Sequence, residues 1–203
     1  MVDETSKRQN VETSKGGLSD CQLPNAYCQL DADEIGNRQS TIGNPRIAAI
    51  WRALETVTDP EIPVISVVDM GIIADVRVED RRVAVDMTPT FVGCPALDVI
   101  RENIRLAVSA LGEHEVEVNV VFDPPWSSDR ITEEGRRKLK AFGLAPPVRA
   151  CAGASLATSL EQVPCPHCDS THTEVESIFG PTLCRSIHYC RDCLQSFEHF
   201  KPV

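Results

Sequence analysis

Residues 71–88 read GIIADVRVEDRRVAVDMT. Ile72, Ala74, Val76 and Val78 alternate with Ile73, Asp75 and Arg77, and after the polar turn from Glu79 to Arg82 the apolar period resumes at Val83, Val85 and Met87. Successive side chains of a strand point to opposite faces, so this stretch predicts a β-hairpin with one buried face. On both sides the period changes. Asn44-Pro45 reads as an N-cap followed by proline at the first helical position. Ile47, Ile50, Trp51, Leu54 and Val57 then share one face of a helix that stops before Asp59-Pro60. Downstream, a second helix is predicted from Pro95, with Leu97, Ile100, Ile104, Ala107, Val108 and Leu111 inward and Gly112 closing it. Val116, Val118 and Val120 make a third strand, and Thr132 caps a third helix that holds Leu139 and Phe142. The order helix, hairpin, helix, strand, helix predicts an α+β fold, a small two-layer sheet-and-helix domain over residues 45–145.

Residues 1–44 are polar, without a sustained apolar period, and read as a disordered tail. Residues 146–163, with Pro146, Pro147 and a run of Ala, Gly and Ser, read as a linker. A cysteine-rich module follows over residues 164–203.

Composition narrows the function. A hydrophobic share of 42% and a charged share of 25% are those of a globular protein, and no stretch approaches the ~20 apolar residues of a membrane span. The amino terminus, MVDETSKRQNVETSKGG, lacks the apolar core of a secretory signal, so the chain reads as cytoplasmic and its thiols as reduced. The net charge of -10 is spread along the chain and offers no basic footprint for nucleic acid.

Cys165 and Cys168 form one CxxC pair and Cys190 and Cys193 another. Each pair can turn two sulfurs toward one ion, and the intervening residues can supply the strands that bring the pairs together. This predicts a four-cysteine zinc-ribbon module with structural zinc, or iron in the same site. A module of about 40 residues has too small a core to fold alone, and metal binding supplies the missing free energy. Two short strands are expected around Gly180-Pro181. Cys184, His167, His172 and His188 are further ligand types nearby, and Cys184, unpaired by spacing, reads as a small buried thiol.

Cys94 immediately precedes Pro95 and is predicted to occupy the N-cap of the second helix, where unpaired N–H groups and the helix dipole favour a thiolate. A plain capping and packing role is the competing reading. Asp59, Glu61 and Asp69 could assist a metal or a thiol, or serve as ordinary turn residues. No serine, histidine and acid set stands out, and His114 sits between Glu113 and Glu115 as a turn histidine would.

Several motifs in order, Asp59-Pro-Glu-Ile-Pro, Val68-Asp-Met-Gly-Ile-Ile, Met87-Thr-Pro-Thr-Phe-Val-Gly-Cys-Pro, Phe122-Asp-Pro-Pro-Trp and Glu134-Gly-Arg-Arg-Lys-Leu, resemble the PaaD family. That family lies within the wider group of metal-sulfur cluster assembly factors, and the resemblance covers about residues 45–203. It implies a non-catalytic subunit or assembly factor of the phenylacetyl-CoA 1,2-epoxidase system of aerobic phenylacetate degradation. The partners would be the reductase and oxygenase components, whose iron-sulfur or diiron centres it would mature; a homodimer is compatible with it. The resemblance makes Cys94 the ligand of a transient iron-sulfur cluster or iron, with Thr88 and Thr90 as neighbours and Asp59, Glu61 and Asp69 around them. Phe91 stands where relatives often have tyrosine. A purely structural subunit without metal handling is the alternative.

Overall fold

The computed structural model describes residues 44–148 and 163–202. The tail expected over residues 1–44, apart from Asn44, and most of the linker expected over 146–163 lie outside the described residues.

Helix α1 (Pro45–Leu54) begins as its sequence dictates, with the Asn44 side chain accepting the Arg46 N–H at 3.0 Å and proline at the first helical position. Strands β1 (Ile73–Glu79) and β2 (Arg82–Met87) form the antiparallel hairpin. Its alternation is broken once: the register shifts between Ile73 and Asp75, and Ile72 and Ile73 are both buried. The extra residue, Ala74, shifts the period so that Ile73 and Val76, three apart, both face inward, which a strict two-residue period does not anticipate.

Helix α2 spans Leu97–Ser109, and the expected start at Pro95 is corrected by two residues. Its N-cap is Ala96, and a turn closed by Leu97 N–H to the Cys94 carbonyl at 3.3 Å comes before it. Strand β3 (Glu115–Val120) pairs with β2 in parallel, which requires the crossover that α2 provides. The sheet order is β1-β2-β3. Its inner face, with Ile73, Val76, Val83, Val85, Met87 and Val118, packs with Ile50, Leu54, Ile100, Ile104 and Val108 of the two helices. Leu111, expected inward, is exposed just before the positive-φ Gly112, because the helix has already ended.

A short 3-10 turn (Ser128–Arg130) leads to helix α3 (Glu133–Phe142), capped by the Thr132 hydroxyl, which accepts the Gly135 N–H at 3.0 Å. Gly135 is needed here: a Cβ on it would lie 2.8 Å from the Asp69 carbonyl. Phe142, at the end of α3, is exposed. Beyond the positive-φ Gly143, residues Leu144–Ala145 form β4 and enter the sheet of the cysteine module.

That sheet holds more strands than the two expected. It runs β4-β7-β6-β5, with β5 (Thr173–Ser177), β6 (Arg185–Cys190) and β7 (Ser196–Phe200) antiparallel and β4 parallel to β7. Phe200 belongs to the main core, its ring 5.9 Å from that of Trp126, whose indole N–H donates to the Met70 carbonyl. Trp126 therefore lies at the junction of ribbon and domain. The described residues contain no helix long and apolar enough to cross a membrane.

His188 and His199 are fully buried in β6 and β7 around the Ser186 hydroxyl. Burial pushes the His199 imidazole down to about 3, and His188 and Lys201 push it the same way. The unfolded chain takes up this proton from about pH 6.5 downward while the folded chain stays neutral, so stability is lost as pH falls from 6.5 toward 3. Urea unfolding at pH 7.5 and 5.5 should show a loss that is smaller by an amount on the order of 1 kcal/mol in His199→Phe, which keeps only the loss due to the buried His188. An equal loss in both proteins would contradict this account.

Candidate functional site

Each CxxC pair is a tight knuckle of the same build. The Asp169 N–H donates to the Cys165 carbonyl and the Cys165 N–H to the Ser170 carbonyl; Leu194, Cys190 and Gln195 repeat the pattern. Asp169 and Leu194 both take positive φ, which closes the knuckles. The Sγ atoms of Cys165 and Cys193 lie 3.6 Å apart, as do those of Cys168 and Cys190, and all four lie within 4.8 Å of one another. Tetrahedral thiolate ligands at about 2.3 Å from an ion would be about 3.8 Å apart, so the set fits a four-sulfur metal site. The electrostatics agree. Backbone N–H groups, first that of Cys193, draw the Cys190 thiol down to about 6, while desolvation and the neighbouring thiols push Cys193 up to about 12. Four sulfurs so close ionise together only when a cation sits among them.

Cys94 lies elsewhere, on the loop between β2 and α2, half-buried, with its N–H on the Phe91 carbonyl at 3.1 Å and its sulfur accepting the Ala96 N–H. It is not the N-cap, and the expected thiolate is corrected too. Burial raises the thiol above its ordinary value; the Ala96 N–H opposes this, and the charges of Asp59, Cys184 and Glu61 add to it.

The other predicted residues divide. Asp59 is buried, and its Oδ1 accepts the N–H groups of Glu61 at 2.7 Å and Ile62 at 3.1 Å. Burial raises its carboxyl. Glu61 is exposed, and the Arg185 guanidinium donates to its carbonyl at 2.9 Å. Thr88 is 1% exposed, and its hydroxyl has no hydrogen-bond partner among the described residues. Thr90 is half-buried on the same loop. Asp69 is committed to α3: its Oδ1 accepts the Thr132 hydroxyl at 3.2 Å, its Oδ2 pairs with Lys138 at 2.5 Å, and its carbonyl accepts the Thr132 N–H. Desolvation works to raise the Asp69 carboxyl, but the lysine, serine and threonine contacts outweigh it and hold the group below its usual value. Its visible work is to dock α3.

Two residues of this region carry no signal in the sequence that connects them to Cys94. Arg185 is buried, paired to Glu198 at 2.7 Å, and reaches the Asp59–Glu61 loop. Cys184 stands beside it. Nothing in their local spacing connects either to Cys94, because the juxtaposition depends on how the ribbon packs.

Comparison with known proteins bears on both halves. Residues 151–201 match the PaaD zinc beta ribbon domain, and residues 47–120 match the iron-sulfur cluster assembly protein family. A protein named as a 1,2-phenylacetyl-CoA epoxidase subunit in Escherichia coli (strain K12) is 35% identical over 166 residues, 82% of this chain and 99% of that protein. This chain belongs to the PaaD family. The chain is also 44% identical over 92 residues to an Fe-S protein maturation auxiliary factor of Porphyromonas gingivalis (strain ATCC BAA-308 / W83), covering 44% of this chain and 87% of that protein. The Fe-S protein maturation auxiliary factor SufT of Staphylococcus aureus (strain USA300) is 37% identical over 85 residues, 41% of this chain and 96% of that protein.

A thiol raised by burial and by neighbouring carboxylates reacts slowly at neutral pH. The rate of Cys94 alkylation by iodoacetamide, followed by peptide mass spectrometry, should keep rising above pH 9 and shift to lower pH in Asp59→Asn. A plateau below pH 8 would contradict the assignment.

Proposed function

We propose that this PaaD-family protein is a cytoplasmic, non-catalytic assembly factor that presents iron or an iron-sulfur cluster, as cargo, to components of the phenylacetyl-CoA epoxidase system. In this reading the four-cysteine site holds structural zinc. Four protein sulfurs leave a tetrahedral ion no open position, so the module stabilises and docks rather than exchanges ligands. Cargo chemistry then falls to Cys94.

The observation that carries this reading is the setting of Cys94: a half-buried thiol on the loop after β2, within the field of the Asp59 and Glu61 carboxylates and of a second thiol. A thiolate beside these carboxylates is disfavoured until a cation offsets the charge, which makes the loop a cation acceptor. Because the Cys94 thiol is protonated at neutral pH, loading releases a proton and unloading takes one up. A thiol held in this way suits transient holding better than permanent ligation. The names of the relatives, an epoxidase subunit and iron-sulfur maturation factors, support the same class of task.

Metal analysis after anaerobic purification separates the two sites. Cys94→Ala should keep its zinc and its fold yet lower the iron content and activity of co-expressed epoxidase components, whereas Cys165→Ala should lose zinc and unfold. If client iron and epoxidase activity survive Cys94→Ala unchanged, the protein is a structural subunit and the cargo reading fails.

A further inference from the structure

The turn between β5 and β6 carries the ribbon to the α+β half of the molecule. It is closed locally, by the Gly180 N–H on the Arg185 carbonyl at 3.0 Å and the Arg185 N–H on the Thr182 carbonyl at 3.1 Å. A Cβ on Gly180 would lie 2.9 Å from that of Arg185, so the turn sits directly over the base of this side chain. Two of its residues then meet the other half. Leu183 comes within 4.0 Å of where a Cβ on Gly93, the neighbour of Cys94, would stand. Arg185, 6% exposed, donates to the Glu198 carboxylate at 2.7 Å and to the Glu61 carbonyl at 2.9 Å, and lies 3.9 Å from the Glu61 carboxylate.

We propose that Arg185 is the positioning residue of the Cys94 site: it fastens the Asp59–Glu61 loop to the cysteine ribbon, so that Cys94 keeps its half-buried setting only while the four-cysteine site is loaded. The proposal rests on the reading of Cys94 as the cargo residue and supplies the means by which the ribbon governs it.

Three observations carry it. First, β6 runs from Arg185 to Cys190 and is paired with β5 on one side and β7 on the other, so the two residues stand at the ends of a braced strand about 17 Å long. Metal binding that orders the knuckle at Cys190 therefore also fixes Arg185. The register adds to this: Arg185 lies opposite Phe200, which belongs to the main core. Second, the loop that Arg185 reaches is closed on itself, with Thr58 bridged to Ser66 and the Asp59 N–H on the Ile65 carbonyl at 3.1 Å. The guanidinium ties this closed unit to the ribbon. Third, the tie is made by a buried, permanently charged fork with one partner in each half. Detaching it would leave a buried cation short of partners, which makes the fastening close to all-or-none. The surroundings of Cys94 follow the loop, because the Asp59 and Glu61 charges act on it and Leu183 backs its neighbour Gly93.

Two readouts on full-length, zinc-loaded protein test this: the iodoacetamide alkylation rate of Cys94 at one fixed pH, and amide hydrogen exchange over residues 58–66. Arg185→Leu should keep its zinc, alkylate Cys94 about tenfold faster and lose protection over 58–66, while β2 and α2 stay protected. Arg185→Lys, which keeps a donor cation, should recover part of both effects. A zinc-loaded Arg185→Leu protein that behaves as the wild type overturns the proposal. So does an Arg185→Lys protein indistinguishable from Arg185→Leu, because packing alone would then account for the change. Should Arg185→Leu fail to fold, the unaltered protein decides: stepwise removal of zinc by a chelator should speed Cys94 alkylation in step with the zinc lost, and an unchanged rate in the zinc-free protein overturns the proposal. Neither readout involves client iron, so a failure here is distinguishable from a failure of the cargo reading.

Discussion

Four sulfur atoms within 4.8 Å of one another constrain most of what the carboxyl-terminal third of this chain can do. Each knuckle is a single turn that fixes two cysteines, so the chain between the knuckles must leave one and return to the other. It does so as β5 and β6, and the second knuckle sends the chain back as β7. A metal at the centre contributes folding free energy on the order of 10 kcal/mol, which a sheet this small does not gain from burial alone. From that anchored end the strands carry side chains outward. Arg185 and Cys184 stand at the far end of β6, and Phe200 closes β7 inside the core of the other half.

The junction is accordingly built from interactions that only a well-placed ribbon can make. β4 adds to the edge of β7, Trp126 meets Phe200, and Arg185 bridges Glu198 and the Asp59–Glu61 loop. A buried guanidinium without partners would be strongly destabilising, so its contacts on both sides favour this docking over alternatives. Asp69 secures the same junction from below: by receiving Thr132 and Lys138 it seats α3, and α3 delivers β4 to the ribbon sheet.

The two cysteine environments differ in kind. In the knuckles, backbone N–H groups prepare sulfur for a resident ion. At Cys94, burial and the nearby carboxylates instead raise the thiol above its ordinary value. The first arrangement prepares four sulfurs for one ion, whereas the second holds a single thiol in its protonated form.

Local patterns determined the elements and the knuckles. Asn44-Pro45, Thr132 and Gly112 mark helix ends, the apolar alternation around Asp80 marks the hairpin, and two CxxC pairs mark a metal site, because caps, pleats and knuckles are made by residues a few positions apart. Those patterns say least where distance along the chain matters. The bulge that turns both Ile73 and Val76 inward depends on the partner strand, and the start of α2 depends on the turn at Cys94. The thiol of Cys94 is raised first by burial and then by the charges of Asp59, Cys184 and Glu61, all of which the fold alone provides. Asp69 and Arg185 likewise gain their partners, Thr132, Lys138 and Glu61, only through tertiary packing. Spacing in sequence encodes what neighbours can do, whereas charge, burial and coordination between distant residues exist only once the two halves are packed together.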